Sequence, residues 1–300
     1  MEREDANQQS SDVSETTGTV TPTTTGAILI PVLDSHETNQ SLEIGRALAR
    51  VNNTGILLVR PVPLPPQRPL ELSREEAEEQ HKIVDELITQ FSRDHPGVNI
   101  RGIVRLGRSS EQIIRSAVTE HGIGTVVIEY TPPSGRLKAV RRSPVERIAD
   151  RLSCDVILTN GRGDFTSISS ILIPVSSGNH SGLAVDVGHA LAREYDAWTD
   201  ILHIIPPDSP PTRHTRGEQY VSAAIDRTDR AERTNTWILE AGDVVETIVE
   251  QANYYDATVL GMSQKGRFRR LTFGSTTDGV YTTVRYPIMM AKQGGRWPSD

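Results

Sequence analysis

Hydrophobic positions along this chain fall into short apolar runs that alternate with longer stretches of helical spacing. Residues 27–33 form an aliphatic, β-prone run, and 38–51 place Leu42, Ile44, Leu48 and Val51 on one helical face. Ile56-Leu57-Leu58-Val59 reads as a buried strand, and a Pro-rich loop from Pro61 to Pro69 follows it. Residues 73–93 open with Ser73 and Glu76 at capping-box spacing and continue with Ala77, Ile83, Val84, Leu87, Ile88 and Phe91 as a helix stripe. The pattern then predicts a strand at 98–104, a helix at 109–120, a strand at 125–128, a short helix opened by Ser143-Pro144, and a strand at 154–159.

The remainder retraces this order. Strands are predicted at 169–175, 198–205, 234–240, 257–261 and 286–291, with helices at 180–195, 214–231, 243–252 and 275–284. Two motifs show that the retracing is a duplication. Ile28-Leu29-Ile30-Pro31-Val32 returns as Ile171-Leu172-Ile173-Pro174-Val175, and Gly45-Arg46-Ala47-Leu48-Ala49-Arg50 returns as Gly188-His189-Ala190-Leu191-Ala192-Arg193, both displaced by 143 residues. Strands alternating with helices, several strands apolar throughout, imply parallel sheets covered on both faces. Ligands of such sheets bind beyond the carboxyl ends of the strands.

The expected organisation is a polar Ser/Thr-rich tail at 1–25, read as disordered, a first domain at 26–160, a linker at 161–168, a second domain at 169–293, and a short tail at 294–300. Composition narrows the function. Aromatics make up 5% of the 300 residues, so the cores are aliphatic, and a formal charge of -7 argues against wholesale binding to nucleic acid or anionic membrane. A single cysteine, Cys154, excludes an intramolecular disulfide framework and a multi-cysteine zinc site, and its apolar neighbours suit an inert thiol. No stretch approaches the ~18–20 apolar residues that span a bilayer. The first 25 residues carry Glu2, Glu4, Asp5, Asp12 and Glu15 without an apolar centre, so no signal peptide is read there and a cytoplasmic location is expected.

The candidate chemistry lies after the fourth strand of the second repeat, from Gly261 through Ser263, Lys265, Gly266, Arg267, Arg269 and Arg270 to Gly274, Ser275 and Thr276. Glycines admit a phosphate close to backbone amides, Ser275-Thr276 opens a helix whose free N–H groups favour an anion, and the cations have no carboxylate among them. Taken alone, the same residues also fit an ordinary turn, a helix start and a solvated basic face. Ser176-Ser177-Gly178-Asn179-His180-Ser181 reads as a helix start with Ser or Asn caps. His180, His189, His203 and His214 are too scattered to specify a metal site, and Trp198 and Trp237 read as packed. No nucleophile elbow or Walker loop occurs.

Both repeats resemble the universal stress proteins. The family's loop after strand four is Gly, two residues, Gly, nine residues, Gly, Ser/Thr; here Gly261 and Gly274-Ser275 keep the outer spacing, while Gln264 takes the middle position and a glycine is displaced to Gly266. Ile201-Leu202-His203-Ile204 and Ala241-Gly242-Asp243 are also family-like. The resemblance implies an α/β fold of two tandem Rossmann-like, adenine nucleotide alpha hydrolase-like domains, each a five-stranded parallel sheet flanked by helices and pairing through the last strands as an intramolecular pseudo-dimer. It also implies ATP or AMP as ligand, with Ser176 near the ribose and the Ile204 main chain near adenine. Nucleotide-binding members carry an Asp directly after strand one, where this chain has Leu33 and Ser176, with Asp34 one place late. In the first repeat Glu129 stands where Gly261 does and Arg142 where Gly274 does, which reads as a pseudo-site. Three functions are therefore carried forward: a regulatory adenine-nucleotide binder, a nucleotide-free module that regulates a transporter or another protein, and, at most, a weak ATPase. Further pairing into a homodimer stays open.

Overall fold

In the computed structural model the described residues are 26–33, 38–67, 74–130, 143–163, 165, 167–262, 280–281, 283–284 and 286–294. The first half runs β1 (Ala27–Pro31), α1 (Asn39–Val51), β2 (Ile56–Pro63), α2 (Arg74–Asp94), β3 (Ile100–Gly107), α3 (Ser110–Glu120), β4 (Ile123–Glu129), α4 (Pro144–Arg151) and β5 (Asp155–Thr159). The second runs β6 (Ser170–Pro174), α5 (Asn179–Tyr195), β7 (Trp198–Ile205), α6 (Pro211–Ile225), β8 (Thr234–Glu240), α7 (Val244–Ala252), β9 (Ala257–Gly261) and β10 (Ile288–Lys292).

Local chemistry sets several helix starts. Ser109 accepts the Gln112 N–H, Ser143 and Glu146 close a reciprocal capping box with Pro144 in the first turn, and Asp243 accepts from Val245 and Glu246. The capping box read at Ser73 lies outside the described residues. Helix α6 begins earlier than the pattern suggested because Pro210 and Pro211 suit the positions before and at a helix start.

Each half has the strand order 3-2-1-4-5, but the halves do not form two separate sheets. β5 pairs antiparallel with β10, Leu158 opposite Met290, and the result is one ten-stranded sheet in the order β3-β2-β1-β4-β5-β10-β9-β6-β7-β8. All other neighbours are parallel. Period-two alternation divides the core. Ile28, Ile30, Ile171 and Ile173 face α1, α2, α5 and α6, whereas Leu29, Leu57, Leu172 and Leu202 face α3, α4 and α7.

The duplicated glycine has a packing cause. A Cβ on Gly45 would stand 2.8 Å from Ile30 Cδ1, and one on Gly188 would stand 2.5 Å from Ile173 Cδ1, so each helix lies against its strand where any side chain would collide. The tryptophans correct the sequence reading: Trp198 and Trp237 are about half exposed. Helix α7 packs on β6 and leaves the edge open, where Trp237 Nε1 donates to Asp200 at 3.1 Å. No helix among the described residues is long and apolar enough to cross a membrane.

Candidate functional site

Strand order reverses between β6 and β9, with α5 following β6 on one face of the sheet, so a crevice opens beyond their carboxyl ends. β6 ends at Pro174, and Val175 N–H still reaches Leu202 C=O at 2.8 Å. The chain then turns through Gly178, whose φ of 116° favours glycine, into α5. The expected Ser or Asn helix cap does not form. Gly178 occupies the cap position without a side-chain bond, and Ser181 Oγ instead accepts from Ser176 N–H at 3.0 Å, leaving the exposed Ser176 hydroxyl to face outward interactions.

β7 contributes two residues to this edge. His203 is buried, with Nδ1 2.8 Å from Val175 C=O, and its ring meets Tyr220 edge-on. Its counterpart at the 143-residue displacement, Arg60, donates to Val32 C=O at 2.9 Å, so both repeats hold the carbonyl that ends their first strand. Ile204 follows. Leu202 C=O accepts from Val175 and Ile205 C=O from Ala241, so by alternation Ile204 turns its main-chain groups toward the β6 side, beyond the last pair at Pro174. Its side chain packs on the opposite core.

Gly261 ends β9 against the start of α5. A Cβ there would lie 2.6 Å from the His180 carbonyl carbon and 2.7 Å from Ser181 N, both backbone atoms. The next residue, Met262, is buried and donates to Ala291 C=O at 2.8 Å, so the loop leaves from the sheet edge itself. Ser176, Gly178, Ser181 and Tyr220 line a cleft of about 380 Å³ beside this point. Burial first, and Lys292 second, lower the His180 pKa, and its neutral Nδ1 accepts from Gln293 N–H at 3.0 Å.

The structure thus brings Ser176, Ile204 and Gly261 to one sheet edge. Ser263, Lys265, Gly266, Arg267, Gly274, Ser275 and Thr276 lie outside the described residues, as do Asp34 and Arg142. His203 belongs to the family-like run Ile201-Leu202-His203-Ile204, whereas Tyr220 and the His180–Gln293 contact joined the edge without a sequence signal, because their partners are distant in the chain.

In the first repeat, the Glu129 carboxylate accepts from Gln40 N–H at 3.1 Å and Ser41 N–H at 3.4 Å. It caps α1, whose own cap residue, Thr38, does not cap the helix with its side chain. Gln40 is held in turn by Thr159 Oγ1, which donates to its Oε1 at 2.6 Å. Where Gly261 lies bare against α5, Glu129 sends a side chain onto α1. Burial pushes the Cys154 thiol up to about 11, in keeping with an inert thiol. Among the described residues no group of three or more His, Cys, Asp or Glu side chains is placed to hold a metal.

The universal stress protein family profile matches residues 168–292. Among solved structures, a universal stress protein from Archaeoglobus fulgidus aligns with a TM-score of 0.64 at 15% identity, covering 90% of this chain and 99% of that one. A Pseudomonas aeruginosa protein assigned to the same family aligns at 0.60 and 15% identity, covering 88% and 91%. The cytoplasmic domain of a prokaryotic cation chloride cotransporter aligns at 0.57 and 12% identity, covering 89% and 95%. These identities speak to the fold alone. No curated protein matches the sequence. The chain is thus similar to the universal stress proteins by profile over residues 168–292 and by fold over most of its length.

Proposed function

We propose that the second repeat binds an adenine nucleotide, ATP or AMP, as a regulatory ligand. The observation that carries this reading is the contrast at one place in the two repeats: Glu129 seats its carboxylate on the start of α1, while Gly261 lies bare against the start of α5, with no side chain between them. Phosphate oxygens take the amides of Gly261, Gly266 and Gly274 and the hydroxyl of Ser275, with Ser263 and Thr276 beside them and Lys265 or Arg267 as counter-charge. Ser176 meets the ribose and the Ile204 main chain the adenine. Titration of ATP and of AMP into the full chain by calorimetry is expected to give saturable heat. Gly274→Arg combined with Ser275→Ala abolishes it, and a wild-type chain that gives no heat refutes the reading.

One observation favours a second function, a nucleotide-free module acting on a transporter or another protein. Leu33 and Ser176 supply no charge where binders have an Asp, and the Ser176 amide is already taken by Ser181. The cotransporter domain shows that this fold also serves inside a transport protein. Turnover, if present, appears as magnesium-dependent phosphate release that Ser275→Ala stops.

A further inference from the structure

Duplication gives every residue of one half a counterpart in the other. Glu43 and Arg46 of α1 correspond to Asp186 and His189 of α5, and α1 packs on α5 at the seam between the halves. Each pair of positions lines its own cleft there, one of about 510 Å³ beside Arg46 and one of about 450 Å³ beside His189.

The first cleft is saturated. Arg46 Nε donates to Glu43 at 3.0 Å, Nη2 to Tyr195 Oη at 3.1 Å, and Nη1 pairs with Glu194. Tyr195 donates to Glu43 at 2.7 Å, and His95 lies 3.0 Å from the same carboxylate. Burial would raise the Glu43 pKa, but hydrogen bonds from Tyr195 and Arg46 outweigh it and leave the carboxyl below its ordinary value.

The second cleft has lost those partners. The counterparts of Glu194 and Tyr195 are Val51 and Asn52. His189 is 7% exposed, and neither ring nitrogen has a partner among the described residues. Such a buried polar group costs about 1–3 kcal/mol and calls for something that satisfies it. Three carboxylates, Asp155, Asp186 and Asp229, line the same cleft. Arg227 engages Asp186 and Arg193 engages Asp229, whereas among the described residues Asp155 accepts only a backbone N–H, from Gly294 at 2.7 Å. Burial and Asp186 raise the Asp155 pKa, and burial lowers that of His189 to about 4, so at neutral pH the ring offers a free lone pair. Among the described residues, therefore, no cation is paired with Asp155 or with the His189 ring. A metal ion does not suit it, since among the described residues no three ligating side chains converge. An anion does not suit it either, because both arginines are already engaged.

We propose that this seam cleft binds a small protonated amine, one ammonium group donating to the Asp155 carboxylate and to the unprotonated ring nitrogen of His189. The test is calorimetry and thermal melting of the full chain at pH 7.5 with 1,4-diaminobutane dihydrochloride, against sodium chloride of equal ionic strength. The diamine is expected to give saturable heat and a higher Tm than the salt. Affinity falls roughly tenfold or more, a loss of at least one charge-assisted hydrogen bond, in Asp155→Asn and in His189→Leu. In nitrogen-labelled wild-type chain the His189 ring resonances shift with the same midpoint, which needs no variant to fold. Equal responses to diamine and salt, unchanged affinity in both variants, or an unmoved His189 ring would overturn the proposal.

Discussion

The two repeats share one backbone and differ in what closes it. At the carboxyl edge of the sheet, repeat one seats Glu129 on the first amides of α1, and repeat two presents Gly261 to the backbone of α5. At the seam, Arg46 is bound by Glu43, Glu194 and Tyr195, and its counterpart His189 by nothing among the described residues. In both places the first half carries a hydrogen-bonded side chain where the second has a bare glycine or an unpartnered ring. Local violations of satisfaction are where function is to be sought; single unpartnered atoms occur in the first half at Ser41, Thr54 and His81, but only His189 leaves both polar atoms of one buried side chain without a partner among the described residues.

The largest effect should come from unsealing the first half. Arg46→Ala removes the central cation between Glu43 and the nearly buried Glu194 and leaves them only Tyr195 and His95 on one side and Arg50 on the other, so it is expected to cost about 3 kcal/mol, the low end for breaking a buried ion pair. Urea unfolding reads this directly. A cost under about 1 kcal/mol would place Arg46 with the weak surface pairs and dissolve the contrast with His189.

His189 itself gives the next effect, and it depends on pH. Its ring is lowered to about 4 in the folded chain, by burial against the pull of Asp186 and Asp229 and with the push of Arg227. Between about pH 6.5 and 4 the unfolded chain therefore binds a proton that the folded chain refuses. Stability falls as pH drops through that window, by up to about 3 kcal/mol. Asp155, with its raised pKa, acts in the opposite sense. The difference between wild type and His189→Leu isolates the histidine: the variant should lose less stability from pH 7 to 4.5, and parallel curves would show that the ring is hydrated in the folded state.

How much of this was legible follows from the range of the interactions. The strands and helices were, because each is set by local period, and the duplication was, because Ile171-Leu172-Ile173-Pro174-Val175 and Gly188 repeat their counterparts for the same packing reason. Pairing of the last strands came from family resemblance, and the pairing of β5 with β10 bears it out. What stayed hidden depends on distant residues. The missing partners of His189 are those that Val51 and Asn52 fail to supply from the other half, and Trp237 is exposed because α7 packs on β6 and stops short of the edge. Glu129 was visible as a misplaced carboxylate, but its cap on α1 bridges strand and helix 89 residues apart.

Gly261→Ala tests the glycine side of the comparison. Its Cβ would meet backbone atoms that cannot rotate away, so the strand and α5 must separate, at about 1–3 kcal/mol. Nucleotide affinity should fall with it if the loop start is positioned by that contact. A variant as stable as wild type would mean that α5 shifts freely and that the glycine serves the ligand alone.

The smallest effect belongs to the closed side. Glu129 supplies α1 with the acceptor that Thr38 does not, so Glu129→Ala should cost about 1 kcal/mol, the worth of a helix cap. Glu129→Gln keeps an oxygen in place and loses only the charge facing the helix dipole, so it should cost less, about 0.3–1 kcal/mol. Hydrogen exchange at the Gln40 and Ser41 amides separates this from a general loosening: protection drops there first in Glu129→Ala and is largely kept in Glu129→Gln. If the two variants unfold at the same urea concentration as wild type, the carboxylate is not what closes the first repeat, and the asymmetry rests on the seam alone.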